Sequence, residues 1–244
     1  MKQVFISTFL FVLMSMVGEK VYAYDIAVKN ADGITIYYNY VNDGKDLEVT
    51  ERDPPPSSFY GNSYSGNVVI PEEVTYMNRT RKVTSIGAST FYNCSNLTSV
   101  TIPNSVTSIG AIAFYGCSCL KSVTLGKSLT SIGTYAFSSD NISIVISLIE
   151  NPFAITGKAS EYGTFSQNTF YNGTLYVPVG TKDKYKTTAG WKDFVFIEEG
   201  NPAGINVVKN PQDSNTTIYD LNGVRLPEPK KGINIVNGKK VIVK

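Results

Sequence analysis

The chain has 244 residues and not one histidine. That absence removes His-based general acid/base chemistry, Ser-His and Cys-His nucleophile pairs, and most zinc and haem ligation. Charge is scarce too: 17% of residues are charged, 22 basic against 20 acidic, for a formal net charge of +2. Such a balance gives no electrostatic basis for binding nucleic acid or an anionic membrane surface. The three cysteines, Cys94, Cys117 and Cys119, match no zinc spacing. No cofactor and no metal is implied. Tyrosine (16) and glycine (20) are plentiful, which suits a β-rich extracellular surface.

Met1-Lys2-Gln3 is a short positive start, Val4 to Gly18 is an apolar run without charge, and Val21-Tyr22-Ala23 ends on a small residue. The pattern is that of a secretory signal peptide cut before Tyr24. The run is shorter than the ~20 residues a membrane span needs, and no later stretch reaches that length, so no transmembrane segment is expected after signal removal. The expected location is secreted, at the outer cell surface or in the medium, or in the periplasm.

An internal repeat governs the rest. Ser85-Ile86-Gly87, Ser108-Ile109-Gly110 and Ser131-Ile132-Gly133 recur every 23 residues, and Phe91, Phe114 and Phe137 keep the same step. Cys94 pairs with Cys117, Leu97 with Leu120 and Val100 with Val123 at the same interval. A fixed period in this range is the signature of a solenoid, in which each coil buries its apolar face only against its neighbours. Val100 and Ile102 alternate with Ser99 and Thr101, so the first pair points inward and the second outward. Pro103 ends the strand. Gly110 is expected to supply a backbone angle forbidden to other residues. The predicted fold is a β-rich, right-handed solenoid with a parallel sheet down one side, about five strands wide. Phe114 is expected at its centre, between Phe91 and Phe137.

The flanks read as caps. Ile34 to Val41 and Asp46 to Thr50 form a hairpin expected to cover the first coil's edge. Tyr76 to Arg81 reads as an inserted hairpin, and Ile142 to Ile149 as a coil strand in slipped register. Thr181 to Ala189 is helical in spacing, with Trp191 and Phe194 as a plug. Two Asn-Gly turns, Asn222-Gly223 and Asn237-Gly238, make two small hairpins near the end. The expected organisation is a signal peptide (1–23), an N-terminal β cap with a Tyr-rich loop (24–65), a solenoid with its C-terminal cap (66–199), a linker (200–210) and a small β module (211–244).

The unit running from Cys94-Ser95-Asn96-Leu97-Thr98-Ser99-Val100-Thr101-Ile102-Pro103 through Ile109-Gly110 to Ala113-Phe114 resembles the BspA-like (Treponema pallidum-type) bacterial leucine-rich repeats. Thr174-Leu175-Tyr176-Val177-Pro178, with Tyr185 and Gly190-Trp191, is similar to the C-terminal end of such proteins. The tail, Ile218 to Gly223 and Lys231 to Lys240, resembles a shortened type IX secretion sorting module of Bacteroidetes. The resemblance implies a cell-surface or secreted protein, with adhesion to host matrix proteins, host cells or other bacteria.

Several motifs have plain readings. Gly126-Lys127-Ser128 looks like the end of a phosphate loop, but the required earlier glycine is Lys121, so it reads as a coil corner. Cys94 and Cys117 sit at equivalent positions on adjacent coils, within disulfide range or as small buried apolar residues. The pairs Glu72-Glu73 and Glu198-Glu199 alternate across a strand and make no acid/base couple.

Strand alternation instead nominates a binding face: Ser99, Thr101, Ser122, Thr124, Thr174 and Tyr176. The alternative patch is Tyr-rich, with Tyr37, Tyr38, Tyr40, Tyr60 and Tyr64 beside Arg79 and Arg81. The expected function is adhesin-like binding of a host or bacterial surface protein, or of a glycan, without catalysis. The alternatives are a glycan-capturing accessory protein for nutrient uptake and a hydrolase, the latter needing carboxylates brought together from separate coils.

Overall fold

The computed structural model describes residues 24–51, 64–158 and 160–200, together with four strands between 218 and 243. The expected signal peptide (1–23), the proline loop with Tyr60, and the expected linker after Gly200 lie outside the described residues.

Each central coil contributes a strand to two sheets rather than to one. The first sheet stacks β4 (Gly66–Val69), β7 (Leu97–Thr101), β9 (Ser122–Leu125), β11 (Ile144–Ser147), β12 (Thr174–Val177) and β13 (Phe196–Glu199), all parallel. It has six strands, not the five expected, because the chain after the aromatic plug returns as one more rung. The second sheet continues through β3 (Asp46–Thr50), β6 (Arg79–Ile86), β8 (Ser108–Ile109) and β10 (Ser131–Ile132), again parallel. The recurring Ser-Ile-Gly is the strand of this second sheet. It is only two residues long at β8 and β10, too short to show alternation in the sequence.

The N-terminal hairpin is present but caps the second sheet. β1 (Ile26–Lys29), β2 (Thr35–Val41) and β3 form an antiparallel meander whose last strand pairs with β6. The inserted hairpin joins β5 (Glu73–Tyr76) to β6 through Met77 and Asn78, both at positive φ. Near the other end, α1 (Gln167–Asn172) starts at Ser166, whose Oγ accepts from the Thr169 amide at 3.1 Å. α2 (Lys182–Thr187) and a 3-10 turn, Trp191–Asp193, complete the last coil. Strands β14 (Ile218–Tyr219), β15 (Arg225–Leu226), β16 (Gly232–Val236) and β17 (Lys239–Val243) form a separate antiparallel sheet in the order β15-β14-β16-β17.

The interior is an aromatic column. Ring centroids of Phe91 and Phe114 lie 4.5 Å apart, Phe114 and Phe137 4.9 Å, and Phe137 and Phe165 5.2 Å, all nearly parallel. Tyr64 packs tilted beneath Phe91, with centroids 4.4 Å apart. At the far end Phe165 meets Phe194 edge-on at 5.3 Å, and Trp191, fully buried, donates from Nε1 to the Phe153 carbonyl at 2.8 Å. The expected plug is therefore in place. Tyr64 and Phe165 were not foreseen as members, since both sit off the 23-residue step.

Gly110 serves a different purpose from the one expected. Its φ is ordinary, but a Cβ there would lie 2.4 Å from the Ala88 amide nitrogen, on the coil below. Gly133 meets Ala111 at the same distance. These glycines allow close coil approach, a steric demand rather than a torsional one. The left-handed torsion falls two residues later, on Ser89, Ile112 and Tyr135, with φ of 60°, 51° and 56°. Amide bonds to the next coil hold it there: Ser89 to Ala111 at 3.1 Å and Ile112 to Thr134 at 2.9 Å. For a β-branched residue such as Ile112 this torsion costs about 1–2 kcal/mol.

No disulfide links Cys94 and Cys117, both of which are buried thiols. Cys117 Sγ instead donates to the Phe91 carbonyl of the preceding coil at 2.9 Å, and burial pushes its pKa well up.

Gly110→Ala is expected to cost about 1–3 kcal/mol by forcing two backbones apart, and Phe114→Ala about 3–5 kcal/mol by opening the column. Urea denaturation measures both. A cost for Gly110→Ala no larger than that of Thr107→Ala would contradict the steric role. Under native conditions a maleimide should label Cys119 alone, and all three thiols only after denaturation, with intact mass as the readout. Burial holds the Tyr185 phenol up at about 12 against an ordinary 10, while Tyr185 Oη donates to the Ile149 carbonyl at 2.8 Å. Its contribution is complete below pH 10, where both states are neutral, and is lost as pH rises towards 12 because the unfolded chain ionises first. Melting temperature should therefore fall above pH 10, less steeply in Tyr185→Phe.

Candidate functional site

The outward face of the six-stranded sheet carries two rows of side chains at fixed register. One runs Asn67, Ser99, Ser122, Ile144, Thr174, Phe196; the other runs Val69, Thr101, Thr124, Ile146, Tyr176, Glu198. All six residues expected on this face are brought together there. Each is half-buried by its neighbours along the row, a common state for a pleated outer face.

The chemistry changes along the rows. From β7 to β9 the face is hydroxyl only: Ser99, Thr101, Ser122 and Thr124. From β11 to β13 it is mostly apolar and aromatic, with Ile144, Ile146, Tyr176 and Phe196, the last 49% exposed, beside Thr174 and Glu198. Ile144 and Ile146 were missed because β11 sits one residue off the repeat, pairing Ile144 with Ser122 across 22 residues. An Ile-Val-Ile run also reads as core from sequence alone. Phe196 was missed because its strand was not expected. At the first edge Asn67 Oδ1 accepts from Thr98 Oγ1 and Ser99 Oγ, both at 2.8 Å, which fixes those hydroxyls. The only charge in either row is Glu198, which pairs with Lys182 Nζ at 3.4 Å. A surface of this kind desolvates easily and still offers oriented hydrogen-bonding groups.

The Tyr-rich alternative does not form one surface. Tyr38 and Tyr64 are core residues, 1% and 0% exposed. Tyr64 Oη donates to the Thr50 carbonyl at 2.8 Å and accepts from the Tyr37 amide at 3.2 Å. Burial raises both phenols well above their ordinary pKa. Tyr37 is half-buried against Tyr24 at 4.7 Å. Only Tyr40 and Arg81 meet at the surface, the guanidinium 4.7 Å from the ring centre, while Arg81 Nε donates to the Gly44 carbonyl at 2.7 Å. Arg79 is exposed on the inserted hairpin, and Tyr60 lies outside the described residues. The reason is local: the cap has no repeat of its own, so its tyrosines supply the core.

A second set of tyrosines lies on the flank. Tyr92 stacks on Tyr115 at 5.6 Å, Tyr115 meets Tyr135 at 6.0 Å, and Tyr135 meets Tyr162 at 5.6 Å. Tyr115 and Tyr162 are 38% and 58% exposed. The Phe91-Tyr92 and Phe114-Tyr115 dipeptides carried this signal, since the Tyr recurs at the same 23-residue step as the coil-centre Phe before it.

Among the described residues no group of His, Cys, Asp or Glu could hold a metal. Glu72 and Glu73 are exposed, and Glu199 Oε1 accepts from the Gly180 and Lys182 amides at 3.0 Å, so neither glutamate pair converges on a shared point. Gly126 is a coil corner, as read: a Cβ there would lie 2.2 Å from the Pro103 carbonyl oxygen.

Residues 84–176 match the BspA type leucine rich repeat region in six copies. No curated protein matches the chain. Among solved structures it is similar to a leucine-rich repeat protein of Bacteroides ovatus, at 18% identity and a TM-score of 0.35, covering 72% of this chain and 41% of that one. It is also similar to the T. pallidum leucine rich repeat protein, at 17% identity and 0.44, covering 70% and 82%. A leucine rich cell surface protein of Faecalibacterium prausnitzii shares 18% identity at 0.37, covering 82% and 60%. The chain thus spans about two fifths of the B. ovatus protein's length. No helix among the described residues is long and apolar enough to cross a membrane. Residues 84–176 are a BspA-type leucine-rich repeat region, built as a β-rich solenoid.

Proposed function

We propose that the chain is a secreted or cell-surface, adhesin-like binding protein without catalysis, and that a protein partner docks on the outward sheet face. The observation that carries this reading is the pair of rows that pass from hydroxyls (Ser99, Thr101, Ser122, Thr124) to apolar and aromatic groups (Ile144, Ile146, Tyr176, Phe196). A hydroxyl half gives orientation, and an apolar half gives the desolvated centre on which most binding energy depends. The family assignment and the apolar start of the chain support a location outside the cytoplasm. The tail's likeness to a shortened sorting module supports a route to the surface.

A glycan is the second reading, favoured by the exposed flank tyrosines Tyr115 and Tyr162. Aromatic side chains offer sugars an apolar edge and a hydroxyl together.

The purified protein is screened against immobilised host matrix proteins, bacterial surface proteins and oligosaccharides, beside the variant Thr101→Glu/Thr124→Glu/Tyr176→Ala. A protein hit weakened at least about tenfold in a variant that retains its circular dichroism is the expected result. Retention of that hit would move the site off the sheet. Binding lost on adding free oligosaccharide, and lost in Tyr115→Ala/Tyr162→Ala, would establish the glycan reading instead. Silence throughout would overturn both.

A further inference from the structure

We propose that the terminal strand β13 is a docking edge for an extended acidic peptide segment, which adds to the six-stranded sheet as a seventh strand. β13 ends the sheet: its backbone pairs with β12 on one side and, among the described residues, with no strand on the other. The aromatic plug closes the core behind it but adds no strand to this edge among the described residues. Two other stretches of edge are partly covered, while β1 and β10 end the second sheet as β13 ends the first. The N-terminal meander covers the second sheet, and on β4 the Asn30 side chain donates to the Val69 carbonyl at 2.9 Å. An open parallel edge is a ready template for strand addition.

The surroundings select for charge. A groove of about 360 Å³ lies between α2 and β13, lined by Phe194, Val195, Phe196, Ile197 and Glu198 and by Lys182, Lys186 and Lys192. Lys182 and Lys186 are one helical turn apart on α2 and so share a face. Lys182 pairs with Glu198, Glu199 Oε1 accepts from the Gly180 and Lys182 amides, and Asp193 Oδ2 accepts from the Lys158 amide. Lys186 and Lys192 have no acidic partner among the described residues. Val195 and Phe196 remain 55% and 49% exposed. A strand alternating acidic and apolar residues meets both demands, because successive side chains point to opposite faces. Its carboxylates reach Lys186 and Lys192 on one face, and its apolar side chains cover Val195 on the other. A basic segment would place like charges against the two unpaired lysines.

The proposal shares Phe196 with the sheet-face reading, and the test keeps the two apart through Thr101 and Thr124. Fluorescence anisotropy measures binding of a labelled octapeptide of alternating Glu and Val to the full-length protein. Three controls run beside it: the Lys/Val analogue, the same Glu/Val peptide N-methylated at alternate residues, and the variant Thr101→Glu/Thr124→Glu. The Glu/Val peptide is expected to bind while the Lys/Val peptide does not. Lys186→Glu/Lys192→Glu should weaken it about tenfold, the sum of two exposed ion pairs and their reversal. Raising salt from about 50 to about 500 mM should also weaken it. The N-methylated peptide should fail because it cannot complete the ladder, and the sheet-face variant should bind unchanged. No binding by the Glu/Val peptide, equal binding by the N-methylated peptide, or equal binding by the lysine variant would each overturn the proposal. So would self-association of the protein that buries β13 and excludes the peptide.

Discussion

Coils in this protein must stack at the spacing of one backbone hydrogen bond, and almost every other feature answers to that distance. Parallel strands in two sheets set the interval on two sides of each coil. Inside, the ring column accepts the same interval because flat aromatic rings stack at it, 4.5 to 5.2 Å from Phe91 to Phe165. Where backbones come nearest, at Gly110 over Ala88 and Gly133 over Ala111, no Cβ fits. The torsional strain at Ile112 is tolerated because its amide completes the bond to the next coil. A coil alone has none of these partners, so stability is shared between neighbours rather than held within a unit.

The same spacing builds the surfaces. Equivalent positions on successive coils line up as rows, so a few residue choices per coil become a continuous strip. On the sheet face the strip passes from the hydroxyls of β7 and β9 to Ile146, Tyr176 and Glu198. On the flank, Tyr92 and Tyr115 stack as a pair because the residues before them, Phe91 and Phe114, stack inside. At the end of the stack the aromatic plug replaces the missing next coil for the core, but it cannot replace the missing strand for the backbone. The core and the sheet edge are thus terminated by different means: the last coil has a sealed interior and, among the described residues, a strand paired on one side only.

The period, the inward Val100 and Ile102, the outward Ser99, Thr101, Ser122 and Thr124, and the plug at Trp191 were all legible in the sequence. They repeat a pattern whose physical meaning is local: alternation along a strand, and equivalence from coil to coil. The second sheet, the sixth strand and the apolar half of the outward face were not. Two-residue strands are too short for periodicity, β11 is displaced by one residue, and Phe196–Glu199 matches no repeat because it belongs to the cap.

By itself the sequence determined the coil, its period and which side of each central strand faces out, because those follow from residue spacing alone. Tertiary structure decided which tyrosines are core and which are surface, what the glycines are for, and where the stack is left open. Tyr38 and Tyr40 differ by two positions on one strand, yet one is buried and the other lies beneath Arg81. Only the packing of β2 into the cap separates them. A glycine that makes room for another backbone likewise cannot be told, in one dimension, from a glycine that bends its own.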